Sequence, residues 1–457
     1  MAKKYSRKFW IIFWLTSIVF LTGWFYFWQI KNQGVGSASS LLGLIPAGDE
    51  QKQEWRTMLK VADYMLQKDG KERTFLVLMQ NNLEIRPGGG YIGTFGILKV
   101  KNGSLASFET HDLSNFDGRI PDTVEPPYPM KETLRIPSWK LRDSNYSPDF
   151  PTNALKAEEF YHMGQGQEQF DGVFAVTANV LTSLLTVTGP ITVPGYPGTF
   201  NSDSAILSLE YQVEKGFNEQ GIERGDRKMV MKDLAQAIME KLSRLTVSEK
   251  LDAAKMIVRD LNQKDIQLYF HDPTVQQIVA KSNWGGITDA TWDKDYLMAV
   301  DANLGAYKSD YYVKRSIDYS VNLAGDVPRA HLKITYQHTA KQKDWMTKDY
   351  LTYLRVYTQD GSWLTKWTNT SDPKFGTEFG KKYFGVIVKV PLGTTKTIEL
   401  DYTLPKNFTE QYDLKVQKQA GINDVPFTYH FIDKQGTVTD FTTTLNGDFV
   451  ASDLWLK

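Results

Sequence analysis

The sequence predicts a mixed-sheet α/β body with flanking helices, followed by an all-β immunoglobulin-like sandwich and preceded by one transmembrane helix. Three observations carry that expectation. Residues 9–30 (FWIIFWLTSIVFLTGWFYFWQI) form an uninterrupted apolar and aromatic run. Strand and helix patterns are mixed across residues 50–308, which argues packed layers of sheet and helix. From Tyr311 onward only short strand patterns remain, separated by turn signals, as in a β-sandwich. The implied parts are a basic tail (1–8), the span (9–30), a linker (31–49), the α/β domain (50–308) and the sandwich (309–457).

As a helix, the run 9–30 would measure roughly 33 Å, enough to cross a hydrocarbon core of about 30 Å. Lys3, Lys4, Arg7 and Lys8 precede it, so the basic tail is expected in the cytoplasm and the bulk of the chain outside the cell membrane. The run exceeds the apolar core of a cleavable signal peptide, and only Ser-Ala-Ser in the following segment resembles a cleavage signal. An uncleaved signal anchor is therefore expected, with a cleaved signal peptide as the alternative.

Trp55, Leu59, Ala62 and Leu66 recur at helical spacing, predicting an amphipathic helix over Glu50–Lys68. Thr74–Met79 reads as a buried strand, and Tyr91–Val100 and Ser104–Leu113 as a hairpin closed by Asn102-Gly103. Ser114–Asp149 is long, irregular and proline-bearing, a kind of loop that is usually functional or mobile. Helices are expected over Pro151–Tyr161, Ala178–Leu185, Ser204–Val213, Arg227–Leu245, Ser248–Leu261 and Pro273–Lys281, with strands at Asp171–Val176 and Ile266–Phe270. The sandwich strands are expected at Tyr311–Val321, His331–His338, Tyr350–Thr358, Tyr383–Val390 and Thr397–Leu404.

Acidic and basic residues balance at 53 each, so no global field draws the chain to nucleic acid. Cysteine is absent, which removes disulfides, thiolate catalysis and Cys-ligated metals. The six histidines show no metal-ligand spacing, and no G-x-S-x-G elbow is present. Gly88, Gly90 and Gly93 satisfy G-x-G-x-x-G, yet a strand pattern follows where a dinucleotide site needs a helix. The run reads instead as a close-approach bend or as an anion-binding nest beside Arg86.

What remains is a set of charged residues in Gly- and Pro-rich contexts. Arg86, Arg119, Arg224 and Arg227 have the forked geometry that suits phosphate oxygens. Asp143 and Asp149, in LRDSNYSPDFP, are candidates for holding Mg²⁺ or for taking a proton from an attacking hydroxyl. Helix caps and loop ion pairs account for the same residue types.

The segments NNLEIRPGGGYIGTFG, LRDSNYSPDFP, DGVFAVTANVLTSLLTVTGPITVPG, VDANLGAYKSDYYVKR and YLTYLRVYT resemble the bacterial family known as domain of unknown function 4012. The order of segments is also remotely similar to the LytR-CpsA-Psr phosphotransferases, single-pass proteins that attach glycopolymers from polyprenyl-pyrophosphate carriers to peptidoglycan. RGDRKMVMKDLAQAIMEKL resembles their phosphate-binding helix, with Arg224 and Arg227 in the arginine region. Their Arg-x-Asp and Ile-Pro-Arg-Asp motifs are not present as such, and the glutamine after the second arginine is replaced. The resemblance implies an envelope protein that binds a phosphate-bearing glycan, a lipid-linked glycan or a cell-wall polymer, and that transfers glycosyl phosphate. The four arginines would clamp the pyrophosphate, and Asp143 or Asp149 would hold Mg²⁺ or act as base. The alternative is a non-catalytic scaffold or adhesion module.

Overall fold

The computed structural model describes residues 48–406 and 412–452. Its first strand, β1 (Glu72–Asn81), is buried at nearly every position. Such a strand belongs in the middle of a sheet covered on both faces. It pairs antiparallel with β2 (Tyr91–Lys101) and parallel with β4 (Gly172–Thr177). With β3 (Ser104–Asp112) and β5 (Ile266–Phe270) at the edges, the order is β3-β2-β1-β4-β5. Asn102 and Gly103, at φ 50° and 78°, turn β2 into β3 as the Asn-Gly pair requires.

Alternation along β1 loads both faces of the sheet. Leu76 and Leu78 pack with Ile92 and Phe95, and with Ala154, Ala157 and Phe160 of the helix Phe150–Met163. Phe75 and Val77 pack on the other face with Val61, Leu261 and Val279. Those three belong to the helices Asp49–Leu66, Val247–Asn262 and Pro273–Lys281. The body is therefore three-layered. Each large apolar side chain fully buried this way contributes roughly 1.5–3 kcal/mol.

Between β1 and β2 the glycine run makes a bend. Gly89 and Gly90 have φ of 129° and 154°. A Cβ on Gly89 would stand 2.0 Å from Gln80 Oε1, and one on Gly90 2.5 Å from the Asn81 backbone. Close approach requires these glycines, and the chain passes straight into β2.

The remaining strands build two further sheets. β7 (Val313–Asn322), β8 (Arg329–His338), β10 (Trp363–Thr368), β13 (Thr395–Thr403), β15 (Val425–Ile432) and β16 (Val438–Leu445) form one, in the order β10-β13-β8-β7-β15-β16. β6 (Asp295–Asn303), β9 (Tyr350–Gln359), β11 (Lys374–Glu378), β12 (Lys381–Val390), β14 (Leu414–Val416) and β17 (Phe449–Ala451) form the other, in the order β11-β12-β9-β6-β14-β17. Tyr319, Leu332 and Ile334 of the first share one core with Leu354, Val356 and Phe384 of the second.

This arrangement corrects the expected fold class. An immunoglobulin-like sandwich is antiparallel with about seven to nine strands. Here both sheets are six-stranded and mixed, with β7–β15 and β6–β14 parallel. β6, which lies ahead of residue 309, sits in the middle of its sheet between β9 and β14. Its burial on both faces removes the alternation by which a strand is recognised. The chain is a mixed α/β protein with three mixed sheets and flanking helices.

The membrane expectations are corrected as well. Residues 9–30 lie outside the described residues, and no described helix is long and apolar enough to cross a membrane. The helix Asp49–Leu66 has the length, but charged residues interrupt it throughout. The transmembrane span, the signal anchor, the membrane as partner and the extracytoplasmic placement of the bulk of the chain are therefore unsupported.

The bodies meet along a hydrogen-bonded seam. Asn303 N donates to Ile85 O at 3.0 Å and Asp310 N to Leu83 O at 3.2 Å. Gln419 Nε2 donates to Arg86 O at 3.1 Å, and Lys264 Nζ to Lys418 O at 3.0 Å.

Candidate functional site

The structure pairs two of the six sequence-predicted residues and leaves the others in separate settings. Arg86 is 1% exposed. Its Nε donates to Asp143 Oδ1 at 2.8 Å, its Nη1 to Asn303 O at 2.8 Å and its Nη2 to Glu84 Oε1 at 2.9 Å. The fork that suits a phosphate is thus committed to two carboxylates and to the backbone of β6. Burial pushes the Glu84 carboxyl up from its ordinary range, with Arg86 acting against that shift.

Asp149 caps the helix Phe150–Met163. One oxygen accepts from Thr152 N at 3.1 Å and Thr152 Oγ1 at 2.7 Å, and the other from Thr288 N at 2.9 Å. Arg119 is exposed, with its guanidinium 5.5 Å from the Phe116 ring. Arg224 is exposed, and Arg227 Nη1 lies 4.0 Å from Glu214 Oε2. Among the described residues no group of three or more His, Asp or Glu is placed to hold a metal ion. Asp143 and Asp149, the expected Mg²⁺ holders, are bound into the scaffold instead.

A different place has the shape of a site. A cleft of about 570 Å³ opens between the α/β body and the sheet containing β9, lined by none of those six residues. That volume lies within the range of ligand sites, about 300–1,000 Å³. One wall comes from the irregular stretch before the helix Phe150–Met163 and from that helix: Tyr128, Trp139, Ser144, Tyr146 and Lys156. The other wall is sheet: Tyr353 and Arg355 of β9, Lys374 and Glu378 of β11, and Tyr383 of β12.

Strand alternation builds the sheet wall. Leu354 and Val356 point into the core between the sheets, which turns Tyr353, Arg355 and Tyr357 to the opposite face. Gly385 on β12 lies in register between Arg355 and Lys374. A Cβ there would stand 2.0 Å from Tyr353 Oη, so glycine makes the room that the phenol occupies.

The opposite wall is fixed by its own hydrogen bonds. Trp139 Nε1 donates to Asp143 O at 2.7 Å, and Tyr146 Oη to Tyr128 O at 3.1 Å. The Tyr128 and Tyr353 rings meet edge to face with centroids 5.5 Å apart. Lys374 Nζ stands 5.7 Å from the Tyr128 ring and Lys156 Nζ 5.3 Å from the Trp139 ring, positions that favour attraction between a cation and an aromatic face.

Arg355 closes the floor. Nη2 donates to Tyr146 O at 2.6 Å, and Nη1 lies 3.3 Å from Glu378 Oε2. Tyr357 Oη also donates to Glu378 Oε2, at 2.6 Å. Burial works against the Arg355 cation, but Tyr357, Tyr146 and Glu378 around it hold its proton more firmly than usual. Burial likewise pushes the phenols of Tyr146 and Tyr353 up, so both stay neutral at physiological pH.

Two buried polar atoms of lining residues, Arg355 Nε and Ser144 Oγ, have no hydrogen-bond partner and are closed off from the cleft. Their residues are 4% and 1% exposed. A buried donor left unmade costs about 1–3 kcal/mol. The signal of the cleft in the sequence is faint: an arginine interrupting the apolar strand YLTYLRVYTQ, and Tyr128, Trp139 and Tyr146 within the long loop.

Residues 70–213 match the family described as "Protein of unknown function (DUF4012)", as the segments in that part of the chain led one to expect. This match does not extend to the remote LytR-CpsA-Psr similarity. No curated protein matches. Two solved bacterial proteins are similar at low identity. Protein gbs0355 from Streptococcus agalactiae is 12% identical over 47% of this chain and 74% of that one, with a TM-score of 0.30. Lin1025 protein from Listeria innocua is 18% identical over 47% and 79%, with a TM-score of 0.26. Scores this low carry no argument about function.

Proposed function

We propose that this chain is a non-catalytic saccharide-binding protein and that the cleft between its bodies is the binding site. The supporting observation is the combination of walls: Tyr128, Trp139, Tyr146, Tyr353 and Tyr383 alongside the charged side chains of Lys156 and Glu378. The C–H face of a sugar ring is weakly positive and apolar, which complements the negative face of an aromatic ring. Its hydroxyls need directional donors and acceptors, which the Lys156 ammonium and the Glu378 carboxylate supply.

Group transfer has less behind it. Arg86 and Asp143 are each other's partners, Asp149 is a helix cap, and none of the expected arginines lines the cleft. A binding role needs none of them.

The test is a screen of the full chain against immobilised saccharides, followed by calorimetric titration of those retained. Trp139→Ala should weaken binding about three- to tenfold, the worth of one aromatic contact, with the melting temperature as control. Absence of any saccharide bound by the unaltered chain would remove this reading.

A further inference from the structure

The charge of the cleft narrows its ligand. Three cations line it, Lys156, Arg355 and Lys374, against one carboxylate, Glu378. That carboxylate is already engaged by Arg355 and by the Tyr357 hydroxyl. Lys156 is shared on the rim with Glu159 at 2.5 Å. Lys374 is exposed, and its ammonium stands over the face of Tyr128. A chain with no net charge has therefore concentrated positive charge where its aromatic side chains converge.

We infer that the saccharide taken by the cleft is acidic, bearing a carboxylate or phosphate substituent that pairs with Lys374 at the mouth of the cleft. This rests on the saccharide reading of the same site. Lys374 on β11 and Arg355 on β9 both stand in register with Gly385 of the intervening β12, and the Tyr353 phenol fills the space that this glycine leaves. An anion at the mouth of the cleft meets the exposed ammonium of Lys374. Behind it lies the buried Arg355 guanidinium, whose Nη1 and Nη2 are bonded to Glu378 and to the Tyr146 carbonyl. Charge-assisted bonds of this kind are the strong ones, and partial enclosure by aromatic walls strengthens them further. Neutral sugars would stack on the same rings without pairing with that ammonium.

The experiment uses the full chain on an array of neutral, uronate-bearing and phosphate-bearing saccharides. Calorimetry then compares an oligogalacturonate with its methyl ester, and a sugar phosphate with its parent sugar. The acidic member of a pair should bind about tenfold tighter or more, and the gap should narrow at high salt. Which pair shows the gap identifies the carboxylate or the phosphate as the source. Lys374→Gln, at an exposed position, should weaken the acidic ligand alone and leave its neutral counterpart unchanged. Equal affinity within both pairs, or equal weakening by Lys374→Gln, overturns this inference while leaving the saccharide reading intact. Retention of nothing on the array overturns both.

Discussion

Arg355 holds Tyr146 across the seam in two ways at once: its Nη2 donates to the Tyr146 carbonyl at 2.6 Å, and its guanidinium lies 5.1 Å from the Tyr146 ring. One residue belongs to a sheet strand and the other to an irregular loop. The contact therefore fixes both the depth of the cleft and the docking of the two bodies.

Replacing Arg355 by lysine keeps the charge and removes the fork. The Tyr146 carbonyl and Glu378 can no longer be served together, and loss of such a bond costs about 1–3 kcal/mol. Arg355→Lys should fold with a lower melting temperature and lose saccharide binding. Unchanged stability by chemical denaturation would show that the contact does not fasten the seam.

Arg86 gives a separate test of scaffold against ligand site. Arg86→Ala leaves Asp143 and the Asn303 carbonyl buried without their donor. Removing one partner of a buried pair costs about 3–5 kcal/mol. The expected result is a large fall in the urea midpoint. A folded variant with full stability that had lost anion binding would instead return Arg86 to the role of a phosphate ligand.

The place of β6 makes a prediction about fragments. A fragment beginning at Ser309 lacks the strand between β9 and β14, whereas one beginning at Thr288 retains it. Only the longer fragment should give a cooperative melt with β-type circular dichroism. Equal cooperativity in both would mean that β6 adds little to this core.

Asp295 predicts a pH dependence. Burial pushes its carboxyl up to about 6, although the Tyr412 and Tyr319 hydroxyls donate to it and act the other way. The folded state therefore holds the proton at pH values where the unfolded chain, with a carboxyl near its ordinary 3.8, has released it. Stability from this group is greatest below that ordinary value and falls as pH rises through about 6. Asp295→Asn should flatten the fall, by about 1.4 kcal/mol for each pH unit that separates the folded from the unfolded titration. A denaturation series between acid and neutral pH measures it. An identical slope in the variant would refute the assignment.

Local chemistry was the legible part of this chain. Asn102-Gly103 specifies its turn through backbone sterics alone, and Asp149-Phe150-Pro151 announces a capped helix wherever it is placed. Elements defined by their surroundings were not legible. β6 is buried on both faces, so its sequence has no period to detect. Arg86 illustrates the same limit for a site. An arginine between a strand and three glycines reads alike whether it faces solvent phosphate or a buried carboxylate, and only the fold brings Asp143 to it. The cleft required two segments more than two hundred positions apart, and neither carries a motif.

The family match ends at residue 213, so it takes in the wall holding Tyr128, Trp139 and Tyr146 and leaves out the wall holding Tyr353, Arg355 and Lys374. The matched segment thus supplies one wall of the cleft. A relative possessing the first segment joined to a different sheet would inherit the aromatic jaw with another opposing jaw. Ligand choice would then change by exchange of a whole module, with the matched segment untouched, and relatives within the family need not agree on what they bind.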